Sequence, residues 1–338
     1  MNLLNLNPEP IKPSRPKGSA PLVCVDIGGT KVAVSVADEH GIRGRVTEPT
    51  CQHGDREALS RQLLGLIVQS CSAAGIAHSD ISAVGVASCG PFVLQGGMIE
   101  LAAPNICGGM AGPERGLPND WLSVPLEAPL RAAFKHKPLR IENDCIGALQ
   151  AERRWGALQG FDHCAYVTWS TGIGIGLCVD GHVLRGKHGN AGHAGHMFVS
   201  DNLDALCGCG NIGDVEALVA GNAIARRYPS PGDVEGAGAA TLFIAAYAQD
   251  KRAVAIVDEL CRVMGRALYN LVVTLDLQCI SLGGSVFWHH RDYLLPRLQA
   301  QLTGILPALT QGVTLVAAGL QDRVGDYAAL ALIDDSPF

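Results

Sequence analysis

The sequence feature that most constrains the fold of this chain is a pattern of strand, glycine turn and second strand that occurs twice. The first copy runs from Cys24 to Ala37 and the second from Cys164 to Gly186. Repetition of a whole supersecondary unit is typical of a duplicated fold. Apolar residues at helical spacing over 56–74 and a buried strand from Ile81 extend the first copy into a β-β-α-β progression. We therefore predict an α/β fold of two lobes, built from duplicated β-β-β-α-β-α units.

The expected domain boundaries follow from the positions of the two copies. Residues 1–20 hold four prolines and no sustained apolar run, which predicts a disordered arm. The remainder of the 338 residues suffices for two domains of ordinary size. A small first lobe is expected over 21–138 and a larger second lobe over 139–324. The closing helix over 325–338 is expected to pack back on the first lobe.

Composition restricts the class of partner. The net charge is −6, charged residues make up 17% and no basic block occurs, which argues against nucleic acid as a partner. No apolar stretch reaches the roughly 20 residues that a membrane helix needs. Most of the twelve cysteines stand singly in apolar stretches, which is typical of a reducing compartment. The sequence thus predicts a cytoplasmic protein that binds small molecules.

Three glycine turns follow predicted strands and are candidates for nucleotide binding. In the first, Asp26-Ile27-Gly28-Gly29-Thr30-Lys31, the glycines let backbone N–H groups approach a phosphate and the threonine adds a hydroxyl. A carboxylate at the end of the strand can hold the water shell of Mg²⁺. An ordinary hairpin turn remains the alternative for this motif.

The other two turns are weaker signals when each is taken alone. Ser170-Thr171-Gly172-Ile173-Gly174-Ile175-Gly176 offers hydroxyls and glycines at the matching place of the second copy. Leu282-Gly283-Gly284-Ser285 lets the chain pass close to an adenine or a ribose. The candidate nucleotide-binding residues are Asp26, Gly28, Gly29, Thr30, Lys31, Thr171, Gly172, Gly174, Gly283 and Gly284.

The motif Glu142-Asn143-Asp144 ends another predicted strand. Ligands of open α/β sheets collect beyond the carboxyl ends of strands, and phosphoryl transfer to an alcohol needs a carboxylate that accepts the hydroxyl proton. Asp144 is the candidate base. Asp144 or Asn143 can cap the following helix, and an N-cap role explains Asp144 equally well.

A dense cluster of polar residues follows in the second half of the chain. His196, Cys207 and Cys209 are zinc-type ligands within fourteen residues, and Asp214 can complete a tetrahedral structural site. Unligated thiols and a hydrogen-bonded core histidine are the alternative. A closed site of this kind would pin the loop that carries His193 and Glu216, which are candidate sugar ligands together with His196.

These motifs, in this order, resemble the ROK family of sugar kinases and repressors from about Leu22 to near the C-terminus. The resemblance implies two actin-like lobes with a ligand cleft between them, and a homodimer. It implies that Asp26–Lys31 and Thr171–Gly176 bind ATP phosphates and that Asp144 is the catalytic base. It further implies that Asn143 and Asn105 contact the sugar.

Two residues depart from the family pattern. His193 stands where the family has glutamate, a substitution that resembles certain bacterial N-acetylmannosamine kinases and changes the hydrogen bonds available to a sugar. Asp214 stands where the family has the last zinc-binding cysteine, and a carboxylate is a harder ligand than a thiolate.

The resemblance favours transfer of the ATP γ-phosphoryl group to the 6-hydroxyl of a hexose, with glucose as the first choice. N-acetylmannosamine kinase or another ROK hexokinase is the alternative. A sugar-responsive transcriptional regulator without catalysis is the alternative of another class, although only about twenty residues precede the first strand, where such proteins carry a helix-turn-helix segment. An actin-like or chaperone-like ATPase is a third alternative that the histidine and cysteine motifs do not favour.

Overall fold

The computed structural model describes residues 15–111, 116–201, 204–228 and 238–334. Contacts within the chain divide it into two compact units. Among the described residues, the first unit comprises 15–111, 116–156, 185–191 and 323–334, and the second comprises 157–184, 192–201, 204–228 and 238–322.

The strands are β1 (Leu22–Ile27), β2 (Lys31–Asp38), β3 (Gly41–Pro49), β4 (Ala83–Ser88), β5 (Phe92–Gln95), β6 (Met98–Leu101), β7 (Val124–Pro125), β8 (Leu139–Asn143), β9 (Cys164–Trp169), β10 (Ile173–Val179), β11 (His182–Val183), β12 (Cys279–Gly283) and β13 (Thr314–Ala317). The helices are α1 (Ala58–Ala74), α2 (Glu127–Ala133), α3 (Asp144–Trp155), α4 (Val215–Val219), α5 (Gly221–Arg227), α6 (Gly238–Tyr247), α7 (Lys251–Leu275), α8 (Ser285–His289), α9 (Arg291–Leu302), α10 (Pro307–Thr310) and α11 (Val324–Ala331). Short 3-10 turns span His78–Asp80, Gly108–Met110, Ala194–His196 and Gln321–Arg323.

The first unit is built on a five-stranded sheet in the order β3-β2-β1-β4-β8. Strand β1 is antiparallel to β2 and parallel to β4, which is in turn parallel to β8. Helix α1 buries Leu59, Leu63 and Ile67 along one face, as their helical spacing predicts, and ends at Gly75 in the left-handed conformation. Helix α11 packs against α3 and β1.

The second unit repeats this topology in a sheet ordered β11-β10-β9-β12-β13. Strand β9 is antiparallel to β10 and parallel to β12, and β12 is parallel to β13. Each unit has its own cluster of buried apolar side chains. The duplication predicted from the two strand and turn patterns is therefore present in the structure.

Two features of the first unit differ from the sequence expectation. Strand β8 pairs with β4 in the register Val84↔Leu139, so residues 139–156 lie in the first unit and not in the second lobe, where the expected boundary at 138 placed them. A strand's residue pattern indicates that a strand is present but does not show which sheet supplies its hydrogen bonds. The antiparallel sheet of β5, β6 and β7 is also absent from the prediction. Most of the predicted N-terminal arm, residues 1–14, and the last four residues of the closing helix lie outside the described residues.

Among the helices of the described ranges, none is both long enough and apolar enough to cross a lipid bilayer.

Candidate active site

In the first unit, two of the predicted ligand-binding segments follow β1 and β8, the parallel strands on either side of β4. Strands β1, β4 and β8 end in register, with Ile27 opposite Ser88 and Ser88 opposite Asn143. The turn at 28–30 and Asp144 therefore lie at the same edge of the sheet. This carboxyl edge is where open α/β sheets bind their ligands.

The turn that follows β1 is a tight hairpin. The Gly28 amide donates to the Lys31 carbonyl at 2.9 Å, and Thr50 Oγ1 donates to the Gly28 carbonyl at 2.7 Å. A Cβ atom on Gly29 would overlap the side-chain amide of Asn105, so only glycine fits there. Within the described part of the chain, the Gly29 and Thr30 amides donate to no protein acceptor. The turn is thus a hairpin with two amides that have no protein acceptor among the described residues, and phosphate binding by these amides remains a prediction.

Asn105 lies against this turn in the long loop between β6 and β7. Its Oδ1 atom is buried and has no hydrogen-bond partner among the described residues. Gln52 Nε2 fixes the loop by donating to the Asn105 carbonyl at 2.9 Å and to the Gly29 carbonyl at 3.2 Å. Buried polar atoms rarely lack a partner, so the Asn105 acceptor indicates a place for a ligand donor. Gln52 was missed from the sequence because no local pattern distinguishes it.

Asn143 and Asp144 have different structural roles. Asn143 is the N-cap of α3: its Oδ1 atom accepts from the Cys145 amide at 3.0 Å, and its Nδ2 donates to the Ser88 carbonyl at 3.3 Å. The interpretation of Asp144 as the N-cap is therefore wrong, because the cap lies one residue earlier. Asp144 opens the helix, and its Oδ1 atom also accepts from the Cys145 amide, at 2.9 Å. Sugar contact by Asn143 remains a prediction.

Asp144 is electrostatically coupled to Asp26 at the end of β1. The pKa of Asp26 is raised to about 7, first by burial and then by the charge of Asp144, against the opposing effect of Lys31. Asp26 also lies close to the start of α11, since a Cβ atom on Gly325 would come 3.1 Å from its Oδ2 atom. Paired carboxylates of this kind are favoured partners of Mg²⁺.

In the second unit, two glycine turns lie side by side at the carboxyl edge of the sheet. Strands β9 and β12 are parallel neighbours, with Thr168 opposite Gly283. Gly284 has φ of 86°, and a Cβ atom there would come 2.5 Å from the Trp169 backbone. The contact with Trp169 explains this glycine within the fold, and nucleotide binding by Gly283 and Gly284 remains a prediction.

The turn between β9 and β10 contacts Glu216, a residue that the sequence analysis named as a candidate sugar ligand. Glu216 Oε2 accepts from the Ile173 amide at 3.0 Å. A Cβ atom on Gly172 would lie 2.7 Å from the same oxygen. Gly174 lies within β10, opposite Thr168.

The predicted zinc ligands His196, Cys207, Cys209 and Asp214 converge on one point, with their candidate ligand atoms all within 4.8 Å of one another. His196 Nδ1 lies 3.2 Å from Asp214 Oδ2, 3.8 Å from Cys207 Sγ and 3.6 Å from Cys209 Sγ. Tetrahedral zinc with these ligand types would separate neighbouring ligand atoms by about 3.3–3.8 Å. The donor set and its spacing therefore fit a zinc ion.

Asp214 connects this cluster to helix α4. Its Oδ1 atom caps the helix by accepting from the Ala217 amide at 2.7 Å, while Oδ2 faces the cluster. Although burial raises the pKa of Asp214, hydrogen bonds from His196 and the Ala217 amide lower it below its usual value. Nearby, the rings of His193 and His196 lie nearly parallel with their centroids 6.4 Å apart.

A family model described as the ROK family matches residues 22–336 of this chain. The chain belongs to the ROK family. The resemblance inferred from the motifs is thus confirmed, over nearly the whole chain.

Named relatives and a solved structure agree with this membership. The chain is 29% identical over 337 residues to the glucokinase of Aeropyrum pernix, covering 94% of this chain and 98% of that protein. It is 34% identical over 266 residues to the N-acetylmannosamine kinase of Salmonella paratyphi A, covering 78% of this chain and 82% of that protein. The structure of a ROK family glucokinase from Streptomyces griseus, in complex with glucose and AMPPNP, is 26% identical with a TM-score of 0.68, covering 91% and 97% of the two chains. The prediction of an actin-like α/β fold with two duplicated units is confirmed.

Proposed function

We propose that this ROK protein is a sugar kinase that transfers the γ-phosphoryl group of ATP to the 6-hydroxyl of a hexose. The observation that carries the proposal is the placement of Asp144 at the carboxyl edge of the first sheet, coupled to Asp26 and in register with the glycine turn. Membership of the ROK family and the names of its relatives support the same activity.

The residues of the first unit suggest how the reaction proceeds. Asp144 accepts the proton of the attacking hydroxyl, which makes the oxygen a better nucleophile. The orphan Oδ1 atom of Asn105 accepts a hydrogen bond from a sugar hydroxyl, and the amides of Gly29 and Thr30 donate to phosphate oxygens. Asp26 would hold the water shell of a Mg²⁺ ion bound with ATP, and that ion would neutralise charge on the phosphates.

The second unit supplies further proposed roles. Thr171, Gly172, Gly174, Gly283 and Gly284 are proposed to bind the nucleotide, and His193 and His196 to bind the sugar. His196, Cys207, Cys209 and Asp214 are proposed to hold a structural zinc ion, since their spacing fits it. From the family resemblance we also propose a homodimer, which light scattering on the purified protein would test.

The proposed sugar is glucose, with N-acetylmannosamine as the second candidate. Both specificities are present among the relatives, and His193 is the residue that most favours the second. An ADP-release assay with ATP and Mg²⁺ should show turnover with one of glucose, mannose, fructose, N-acetylglucosamine and N-acetylmannosamine above a no-sugar control. Absence of sugar-dependent turnover, with sugar binding retained, would contradict the kinase proposal and favour a sugar-sensing regulator.

A further inference from the structure

Residues 185–191 follow β11 of the second unit in the chain, but they belong to the first unit. They form a closed loop, because the Ala191 amide donates to the Arg185 carbonyl at 3.0 Å. Gly186 and Gly189 have φ of 70° and 77°, in the left-handed region that favours glycine, and they allow so short a loop to turn back on itself. These residues are called the 185–191 loop below.

One end of the 185–191 loop is anchored by the side chain of Asn190. Its Oδ1 atom accepts from the Phe92 amide and its Nδ2 atom donates to the Phe92 carbonyl, each at 2.8 Å. Phe92 is buried and begins β5, which is the edge strand of its sheet. Buried backbone groups on the open side of an edge strand need a partner, and the Asn190 amide supplies one in place of a further strand.

The other end of the loop is anchored by Arg185. Its Nε atom donates to Glu142 Oε1 at 2.7 Å. Glu142 lies in β8 directly before Asn143, the N-cap of α3, and its side chain is only 13% exposed. A largely buried carboxylate is costly without a partner, so Arg185 stabilises the end of β8 in this position.

The two anchors reach the ends of neighbouring parallel strands. Strands β4 and β8 pair as far as Ser88 opposite Asn143, and Asn143 Nδ2 donates to the Ser88 carbonyl at 3.3 Å. Phe92 follows shortly after Ser88 in the chain, and Glu142 shortly precedes Asp144. The 185–191 loop is therefore bonded to the segments on both sides of the point where Asp144 begins α3.

We propose that Asn190 and Arg185 are positioning residues for the proposed base: the 185–191 loop holds the ends of β4 and β8 together and so fixes the Asp144 carboxylate for proton transfer. The proposal rests on the proposed phosphoryl transfer. A general base acts only within hydrogen-bond reach of the proton it accepts, so a small displacement of the strand ends lowers kcat. Asn190 and Arg185 need not contact a ligand for this effect.

Single substitutions remove each anchor in turn. Asn190→Ala loses both bonds to Phe92 and should lower kcat about tenfold. Calorimetric titration with the sugar and with a non-hydrolysable ATP analogue should show affinities within about threefold of the wild type. Arg185→Ala removes a half-exposed ion pair and should lower kcat only about threefold, and Arg185→Lys should recover most of that loss. The Arg185 variants also serve if Asn190→Ala does not fold.

Double variants test whether the anchors act through the base. Asn190→Ala should lower kcat little further in protein that already carries Asp144→Asn, because no base remains to be positioned. Arg185→Ala should likewise have little further effect in Glu142→Ala, because its partner is already lost. A residue with a merely structural role would lower kcat by the same factor in both backgrounds.

Matched controls make the same chemical changes elsewhere. Asn270 lies on α7, and the described part of the chain shows no hydrogen bond from its side chain. Arg61 lies on α1 and forms exposed ion pairs with Asp55 and Glu57. Asn270→Ala and Arg61→Ala should both keep the wild-type kcat.

One measurement needs no turnover. Hydrogen exchange of the peptides covering 88–92 and 139–144 should accelerate in Asn190→Ala but not in Asn270→Ala. A wild-type protein that is inactive with every sugar would overturn the proposed function, whereas the exchange rates would still show whether the 185–191 loop holds the strand ends.

Three results would overturn the positioning role. The first is a wild-type kcat in Asn190→Ala. The second is an equal loss of kcat from Asn190→Ala with and without Asp144→Asn, which would show that Asn190 acts independently of the base. The third is unchanged hydrogen exchange over 88–92 and 139–144, which would show that the loop does not hold the strand ends.

Discussion

At the scale of single residues, the first unit places two carboxylates with different proposed tasks at one sheet edge. Asp144 begins α3 without being its cap, so its carboxylate is not required to start the helix. Asp26 is held in a buried position where its pKa rises to about 7. Each residue can be tested separately, because one is proposed for proton transfer and the other for holding the Mg²⁺ water shell.

Substitution of Asp144 by asparagine should abolish most turnover. The amide is nearly isosteric but cannot accept the hydroxyl proton, and general-base catalysis contributes on the order of 10²–10⁴-fold. We expect kcat to fall by about that factor, while calorimetric titration shows little change in nucleotide affinity. Asn143 still caps α3, so the variant should unfold at the wild-type temperature. Full turnover in this variant would exclude Asp144 as the base.

The pKa of Asp26 predicts a pH dependence of stability. The folded-state pKa is about 7 against an ordinary value of 3.8, so the folded protein binds the proton more tightly than the unfolded chain. This contribution is fully present below pH 4 and is lost as the pH rises through 7. The free energy of unfolding from urea titrations without Mg²⁺ should therefore include a loss of about 4 kcal/mol from this group between pH 4 and pH 8.

Substitution of Asp26 by asparagine should remove this loss, because the amide does not titrate. Asp292→Asn is the control, since the Asp292 side chain is 94% exposed, and it should keep the wild-type pH dependence. Identical pH profiles for the wild type and Asp26→Asn would show that Asp26 titrates normally.

At the scale of secondary-structure elements, residues at the ends of short segments position parts of the proposed site. Helix α4 has only five residues, yet its N-cap belongs to the candidate zinc site and its first turn holds the β9–β10 turn. A helix of this length has little intrinsic stability. Its position must therefore come from its cap and its buried contacts.

Asp214 is both the N-cap of α4 and a candidate zinc ligand, so its replacement by cysteine should strengthen zinc binding but weaken the helix cap. A thiolate binds zinc more strongly than a carboxylate, so Asp214→Cys should release zinc to a chelator more slowly than the wild type does. Cysteine is a poor N-cap, so the zinc-free variant should lose about 1 kcal/mol of stability relative to the zinc-free wild type. A colorimetric zinc assay and thermal unfolding measure the two effects. Absence of zinc from wild type prepared without chelator would contradict the metal assignment.

At the scale of the whole molecule, the first unit is assembled from distant parts of the chain. Asp334 is buried and forms ion pairs with Arg15 at 3.3 Å and with Arg154 at 3.2 Å. These ion pairs join the start of the described chain, helix α3 and the C-terminal segment. Helix α11 adds its packing on α3 and β1. The first unit therefore depends on residues more than 300 positions apart, since the Arg15–Asp334 pair spans 319.

Substitution of Asp334 by alanine should destabilise the first unit strongly. It removes the carboxylate that pairs with two largely buried guanidinium groups, and breaking a buried ion pair typically costs about 3–5 kcal/mol. Asp258→Ala is the matched control, because its pair with Arg297 is exposed and should contribute less than about 1 kcal/mol. Thermal unfolding of the two variants should show a clearly larger loss for Asp334→Ala, and equal losses would contradict this account.

Much of this organisation was predictable because it is local in the sequence. Apolar spacing marked the strands and α1, and the two strand and turn patterns predicted the duplicated topology. The clustering of His196, Cys207, Cys209 and Asp214 was also predictable, since these residues lie within a short stretch of the sequence and share the chemistry of metal ligands. In each case the signal is a periodicity or a spacing among residues that lie close together in the sequence.

The tertiary structure decided whatever depends on pairing between distant segments. It assigned β8 to the first sheet and decided between Asn143 and Asp144 as the cap of α3. It also brought Asn105 against Gly29, with an oxygen that has no hydrogen-bond partner among the described residues. It also gave Glu216 the Ile173 amide as its partner. Hydrogen bonds and burial between distant residues arise only when the chain has folded, so no local pattern in the sequence encodes them.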